Sequence, residues 1–338
     1  MSSMKLNRVG FTRTAQSVAF SVLLLCTQSV LADNSKDAIG QYPEKPIKFI
    51  VPIAAGGSID TITRSVADKL REKWNNPVTV ENMPGGSGLI GMARFLKSDP
   101  DGYTFLAHGD TVVLNPLLRK NADYVLEDLV GVNRFTVTPQ VLVVNPDFAP
   151  RTLKEYVEYA KENPSKIRLA LPVQAGIGHL AHAKLETEAG IQVTHVPYKG
   201  GAPAAVDALG GHVDALIITL PAISEHIKSG KLIPLAVSTP ERSSSFQDIP
   251  TMAESGYPKA VTESWAGLFA AKDAPILIVE KLHADITEIM NDPDLVKKAE
   301  SLGFTVSPMS SLENFNKWLQ SEREKHKETI ENAKIQIN

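Results

Sequence analysis

The sequence has 338 residues, of which 43% are hydrophobic and 22% charged, and this composition is typical of a globular protein. It excludes a disordered or collagen-like chain. The net charge of −3 also gives no sign of the basic surface that binds nucleic acid. We therefore expect a globular chain, long enough for two domains, with no nucleic acid among its partners.

The first 32 residues have the features of a cleavable export signal. Lys5, Arg8 and Arg13 form a basic start without acidic residues, and an apolar run follows at 18–26. The run is too short to span a membrane, which disfavours an uncleaved anchor. The sequence therefore predicts cleavage near Ala32, export to a bacterial periplasm and loss of three positive charges.

Cys26 is the only cysteine, and it lies within this predicted signal. Lipid attachment at Cys26 is not expected, because Leu25 stands where a lipoprotein signal usually has a small residue. Cleavage would leave the mature chain without a disulfide, a thiol nucleophile or a cysteine metal site. After residue 32, no apolar stretch approaches the ~20 residues of a transmembrane helix, so we expect a soluble mature protein.

Strand-like runs alternate with helical patterns from residue 47 onward. In the first part, a strand at 47–51 precedes a helix at 59–73, and strands at 78–80 and 103–107 flank a helix at 91–97. Only a crossover helix can return the chain to the same edge of a sheet, so this order predicts parallel strands. The first part is therefore expected to form an α/β lobe.

A second α/β set begins near Gln140. Its elements are predicted as strands at 141–144, 168–170, 193–196, 232–238 and 268–271, with helices at 153–162, 178–188 and 204–209. The tail from Pro275 is expected to be mainly helical, to break at 291–293, and to pack against the first lobe. We predict a first lobe of residues 33–140 plus 266–338, and a second lobe of residues 141–265.

Two enzyme motifs are set aside on their context. Residues 86–91 match G-x-G-x-x-G, but this match follows the second strand rather than the first, and export disfavours a soluble nicotinamide cofactor. Ser58 and Ser87 each lie beside glycine, yet both lack the last glycine of G-x-S-x-G. An exported hydrolase with a dispersed site stays open as an alternative. We expect no enzyme activity and no cofactor.

His179 and His182 lie three residues apart on a predicted helix, as two metal ligands would. A zinc site needs a third ligand and often a nearby carboxylate, and the sequence has no H-E-x-x-H. We favour a cap or a ligand contact for His179 and packing for His182. No metal is expected.

Four glycine-rich turns lie between a strand and a helix, at 54–58, 85–88, 175–178 and 200–202. The free amide groups at the start of a helix can hold an anion without any lysine or arginine, and glycine lets the ligand approach the backbone. In open α/β sheets, ligands bind at the carboxyl ends of the strands, where these turns are predicted to lie. The turns therefore indicate a small anionic ligand.

Six segments of the chain, in order, form a recurring pattern: YPEKPIKFIVPIAAGGSID, VTVENMPGGSGLIG, DPDGYTFL, HVPYKGGAPAAVDALGGHVD, IPTMAESGYP and SWAGLFAAKDAP. Together they resemble the extracytoplasmic solute receptors of tripartite tricarboxylate transporters, also called the Bug family. The resemblance covers about residues 42–335. It implies an α/β type II periplasmic-binding-protein fold, with two doubly wound lobes and a ligand cleft between them.

The resemblance also implies a function. Such a protein captures a small organic acid, a mono- or dicarboxylate, and delivers it to membrane permease subunits. We expect it to act as a monomer. A receptor of the same fold that reports the acid to a signalling protein is the alternative.

In this family two loops, one from each lobe, hold the ligand carboxylate largely through main-chain groups. The matching positions are 53–60 and 172–179, and the chain would cross between lobes near Gln140 and return near 264–267. The family usually has an aromatic residue and a proline where this chain has Ile53 and Ala54, which puts a ring contact at that wall in doubt. The implied ligand-binding residues are Ile53, Ala54, Ala55, Gly56, Gly57, Ser58, Asp60, His108, Asp110, Ala175, Gly176, Gly178, His179 and Tyr198.

Overall fold

The computed structural model describes residues 41–333, without the side chains at 332 and 333. The predicted signal and its cleavage site lie outside the described residues. In chain order the strands are β1 Ile47–Val51, β2 Val78–Asn82, β3 Thr104–Gly109, β4 Leu129–Thr138, β5 Gln140–Val144, β6 Arg168–Leu171, β7 Thr194–Pro197, β8 Ala215–Thr219, β9 Ile233–Val237, β10 Ser264–Ala271 and β11 Thr305–Val306.

The helices alternate with these strands, as predicted. They are α1 Ser58–Trp74, α2 Leu89–Leu96, α3 Thr111–Leu118, α4 Leu153–Glu162, α5 Ile177–Ala189, α6 Gly201–Leu209, α7 Ser224–Lys228, α8 Ile276–Met290, α9 Pro293–Ser301 and α10 Leu312–Ala333. Short 3₁₀ turns lie at Gly86–Gly88, Leu126–Asp128, Leu220–Ala222 and Pro258–Ala260. In residues 41–333 we find no helix with the length and apolar character needed to cross a membrane.

The strands form two mixed sheets, one for each lobe. The first sheet has the order β11-β4-β10-β3-β1-β2, and the second has the order β7-β6-β8-β5-β9. Strands β1, β2 and β3 pair in parallel, as do β6, β7 and β8, while β4, β5, β9 and β10 pair antiparallel to their neighbours. The two-lobed α/β fold is confirmed, and the lobe boundaries stay a prediction.

Strands β4, β8 and β11 were not among the predicted strands. Strand β4 was missed because buried polar residues interrupt its apolar pattern; Asn133 is fully buried and donates to Thr287 Oγ1 at 2.8 Å. The main-chain N–H of Met309 donates to Asn133 Oδ1 at 2.8 Å. These partners lie more than 150 residues away in the chain, so no local pattern could indicate the strand.

Local sequence explains the elements that were predicted well. Ile62, Val66 and Leu70 recur every four residues on α1 and are buried. Helix α4 begins after Thr152, whose hydroxyl accepts from the Glu155 amide, a capping interaction that fixes the first turn. These signals lie within a few residues of the element they define.

The tail packs mainly on the first lobe, as expected. Phe315 and Leu319 of α10 are buried against Trp265 and Phe269 of β10. Further along α10, Ile330 packs against a cluster formed by α3 and the start of α5. The last helix therefore contacts both lobes.

Candidate functional site

A cavity of about 110 Å³ lies between the two sheets. Its wall is built from the carboxyl ends of strands and the first residues of helices in both lobes. An apolar cavity of about 150 Å³ holds a molecule the size of benzene, so this space suits a small ligand. Among the described residues that line it there is neither lysine nor arginine, and Asp110 is the only carboxylate.

Three of the lining helices begin at glycine. Gly57, Gly176 and Gly200 precede α1, α5 and α6, and no side chain caps any of these helix starts. Their first amide groups are therefore left for another partner, and each helix contributes partial positive charge at this end. Helix α1 belongs to the first lobe, and α5 and α6 to the second.

Asp60 holds the turn before α1 through hydrogen bonds made away from the cavity wall. Its carboxylate accepts from the Gly56 amide at 2.9 Å, from Arg64 Nε at 3.1 Å and from Asn82 Nδ2 at 2.9 Å. Burial opposes the charge on Asp60, but these donors, Arg64 first, outweigh it and lower the pKa of the carboxyl. With its oxygens committed to the turn, Asp60 does not line the cavity.

The turn before α5 is held differently. His179 Nδ1 accepts from the Ala175 amide at 3.1 Å, so a neutral ring carries its proton on Nε2. Burial, followed by the neighbouring His195, lowers the pKa of His179 to about 4 and favours the neutral form at pH 7. Ala175 is buried with a left-handed φ of 61°, which is uncommon for a residue with a side chain.

Residues of the first lobe also hold this second turn. The Gln174 carbonyl accepts from Arg119 Nη2 at 2.7 Å and from Ser87 Oγ at 3.3 Å. Ser58 Oγ and Thr219 Oγ1 lie 2.8 Å apart across the cavity. These contacts join the two lobes beside the cavity.

Asp110 follows β3 and contacts the start of β10, where the chain returns to the first lobe. Its carboxylate accepts from Ser264 Oγ at 2.6 Å and from the Trp265 amide at 3.1 Å. Burial raises the pKa of Asp110 to about 7, although the two hydrogen bonds oppose the rise. This group therefore changes charge near neutral pH.

The structure brings half of the sequence-predicted site residues to the cavity wall. Those that line it are Ile53, Gly57, Ser58, Asp110, Gly176, Gly178 and His179. Those that lie off the wall are Ala54, Ala55, Gly56, Asp60, His108, Ala175 and Tyr198.

Physical reasons place several of these residues away from the wall. His108 is fully buried behind Gly88, and its Nδ1 accepts from the Gly109 amide at 2.9 Å. Burial lowers the pKa of His108 to about 3. Tyr198 donates its hydroxyl to Asp207 at 2.6 Å. Both side chains are thus committed to their own lobe.

Sequence reasoning missed four polar residues at strand ends that also line the cavity. They are Thr138, Gln140, Thr219 and Ser264. Thr138 and Gln140 lie on either side of Pro139, where the chain passes from β4 to β5. The predicted crossings near Gln140 and at 264–267 could have indicated Thr138, Gln140 and Ser264, whereas Thr219 ends β8, which was not predicted.

Comparison with known proteins identifies the family. The model of the tripartite tricarboxylate transporter family receptor matches residues 62–335. The chain belongs to this family. Protein BugT of Bordetella pertussis is 36% identical over 286 residues, covering 84% of this chain and 87% of BugT.

Solved structures agree with this assignment. The periplasmic binding protein BugD is 31% identical with a TM-score of 0.82, covering 87% of this chain and 99% of BugD. A structure titled "R. palustris Rpa4515 with adipate" is 26% identical with a TM-score of 0.84, covering 87% of this chain and 99% of that one. The predicted resemblance and the type II periplasmic-binding fold are confirmed, and the family is one of solute-binding receptors, not of enzymes.

Proposed function

We propose that this receptor captures a small mono- or dicarboxylate in the periplasm, closes its lobes over it, and delivers it to the permease subunits of a tripartite tricarboxylate-type transporter. The carboxylate is held by main-chain amides at the starts of α1, α5 and α6. No reaction of the ligand is involved.

The observation that carries the proposal is the pairing of uncapped helix starts from both lobes around one cavity. Each start favours an anion by about 0.3–1 kcal/mol when exposed and up to about 2 kcal/mol when partly buried. Since the described wall has no basic side chain, these amides are the groups that offset the ligand charge.

Closure follows from the same geometry. The Ser58–Thr219 and Arg119–Gln174 contacts exist only when the lobes are together. A ligand that contacts both helix starts binds the closed state more tightly than the open one, and this difference drives closure. A permease can then distinguish the loaded receptor from the empty one by its shape.

Similarity supports the class of ligand. R. palustris Rpa4515 is seen with adipate, which is a dicarboxylate. That protein shares the fold of this chain over nearly its whole length. In this chain Ile53 supplies an aliphatic wall beside Gly57. An acid with a short aliphatic segment therefore fits this cavity better than a highly polar one.

A thermal-shift screen of the purified protein tests the proposal. The panel contains aliphatic mono- and dicarboxylates, aromatic carboxylates and amino acids, with the neutral diamide of adipic acid as the matched control for charge. A ligand at 100 times its dissociation constant should stabilise the protein by about 2.7 kcal/mol. Stabilisation by an acid but not by its amide supports the proposal, and a panel without any shift contradicts it.

A further inference from the structure

A cluster of three metal-ligating side chains lies in the second lobe, outside the cavity wall. His182 and Glu186 are one turn apart on α5, and His195 lies on β7, the edge strand of the second sheet. One donor atom from each lies within 4.8 Å of the others. His182 is fully buried, whereas the side chains of Glu186 and His195 are 16% and 28% exposed.

Two of the three separations between the donor atoms are of the length that a shared ion gives. Glu186 Oε2 lies 3.4 Å from His182 Nδ1 and 3.1 Å from His195 Nε2. Yet both ring nitrogens are buried without a hydrogen-bond partner of acceptable geometry. Tetrahedral zinc with bonds of about 2.0–2.2 Å separates its ligand atoms by about 3.3–3.6 Å. The two observed separations are close to edges of that tetrahedron.

Neighbouring groups orient two of the three ligands. Tyr156 Oη lies 3.0 Å from His182 Nε2, so a proton on Nε2 leaves the Nδ1 lone pair facing Glu186. The Val193 amide donates to Glu186 Oε1 at 3.0 Å, which leaves Oε2 for the cluster. Metal-ligating histidines and carboxylates usually have such outer partners, which fix the ring orientation and the free oxygen.

We propose that His182 Nδ1, Glu186 Oε2 and His195 Nε2 bind one divalent transition-metal ion of the zinc class, with a fourth position open to water. This departs from the expectation of no metal drawn from the sequence, where the third ligand and the carboxylate could not be paired with His182. The site joins α5 to the edge strand β7. His179, whose ring centroid lies 4.8 Å from that of His195, separates it from the cavity.

Zinc titration of the chelator-treated protein tests the site. Isothermal calorimetry should give one Zn²⁺ per chain, and Co²⁺ should give the strong visible absorption of a four-coordinate ion. His195→Ala and Glu186→Gln should each weaken Zn²⁺ binding by a factor of ten or more, as loss of a ligand requires. The matched control His212→Ala removes an exposed histidine of the same lobe and should leave binding unchanged.

Each alternative result is decisive. Absence of Zn²⁺ binding at micromolar concentration, or equal affinity in wild type, His195→Ala and Glu186→Gln, would overturn the proposal. Because His195 is partly exposed, its alanine variant is expected to fold even if His182→Ala does not, and melting in chelator checks this. Tyr156→Phe keeps the ring and removes the outer partner, so it should weaken binding by about 10–100-fold; unchanged affinity would overturn the orientation assigned to His182.

Discussion

The two turns that face each other across the cavity are held in place by different means. The first turn is fixed within its own lobe, because Asp60 binds the Gly56 amide and is itself held by Arg64. The second turn depends on His179 and on Arg119 of the opposite lobe. We therefore expect the first turn to be preformed when the lobes are apart, and the second turn to reach its full set of contacts only on closure.

The largest expected effect on ligand affinity comes from filling the first turn. A Cβ atom at Gly57 would lie 2.8 Å from Ile53 Cδ1, and Gly57→Val places two further methyl groups at the cavity wall. We expect affinity for the carboxylate found in the screen to fall at least about 100-fold, which corresponds to about 2.7 kcal/mol.

The matched control is Ala55→Val, which adds the same side chain at an exposed position of the same turn, off the wall. Calorimetry should show near wild-type affinity for this control, and both variants should melt cooperatively. If Gly57→Val binds as tightly as the control, the first turn is not a ligand contact.

Asp110 is the carboxylate that an anionic ligand meets on the first-lobe side of the wall. Its folded-state pKa of about 7 lies above the ordinary value of 3.8, so its protonated form contributes stability that is complete below pH 3.8 and is lost as pH rises from there through about 7. Asp110→Asn does not titrate. Relative to this variant, wild type should lose up to about 4 kcal/mol between pH 4 and pH 8.

Denaturant unfolding at several pH values measures this difference. Carboxylate affinity should fall in wild type as pH rises through 7, where Asp110 ionises in the folded protein, and should change less in Asp110→Asn. A pH-independent difference between the two proteins would contradict the burial argument for Asp110.

A smaller effect is expected when the charge of Asp60, which holds the first turn, is removed. Asp60→Asn cannot keep every hydrogen bond of the carboxylate and should destabilise the protein by about 1–3 kcal/mol. Because the pKa of Asp60 is lowered in the folded state, its contribution is present above the ordinary value of 3.8 and is lost as pH falls below it. The advantage of wild type over Asp60→Asn should therefore shrink in acid.

Asp68→Asn on the same helix is the control, since Asp68 is exposed and contacts Arg71 in a surface pair that contributes little. Equal losses of stability in the two variants would show that Asp60 has no special role in holding the first turn.

The smallest effect is expected at the inter-lobe contact. Arg119→Ala removes a donor to the Gln174 carbonyl and should lower affinity by about tenfold, mainly through faster ligand release. Arg94→Ala, which removes an exposed arginine of the same lobe, should have no effect. Stopped-flow release rates that are equal in the two variants would show that the second turn does not depend on the first lobe.

Local signals in the sequence were sufficient for most of the fold. The capping residue of α4 and the apolar stripe of α1 lie within the elements that they define, so their helices were predicted within a residue or two. Strand β4 was missed because Asn133 is satisfied by the distant tail. Predicting it required knowledge of packing that a single sequence does not contain.

The candidate site also combines features that local sequence predicts with features that depend on distant packing. Glycines before helices indicated both turns, because an uncapped helix start is a local feature. The sequence could not show that Asp60 faces away from the cavity, since its partner Asn82 comes from the next strand. Nor could it pair His182 with His195, which come together only when α5 packs against β7.

The most direct measurement of the central claim is an amide titration by NMR. The ¹⁵N-labelled protein is titrated with the carboxylate from the screen and, separately, with its neutral amide. If main-chain groups of both lobes hold the acid, the amide signals of Ser58, Ile59, Gly178 and His179 should shift downfield together with the acid and stay in place with the amide. Binding of the acid with shifts confined to one lobe, or with none at these helix starts, would contradict the account.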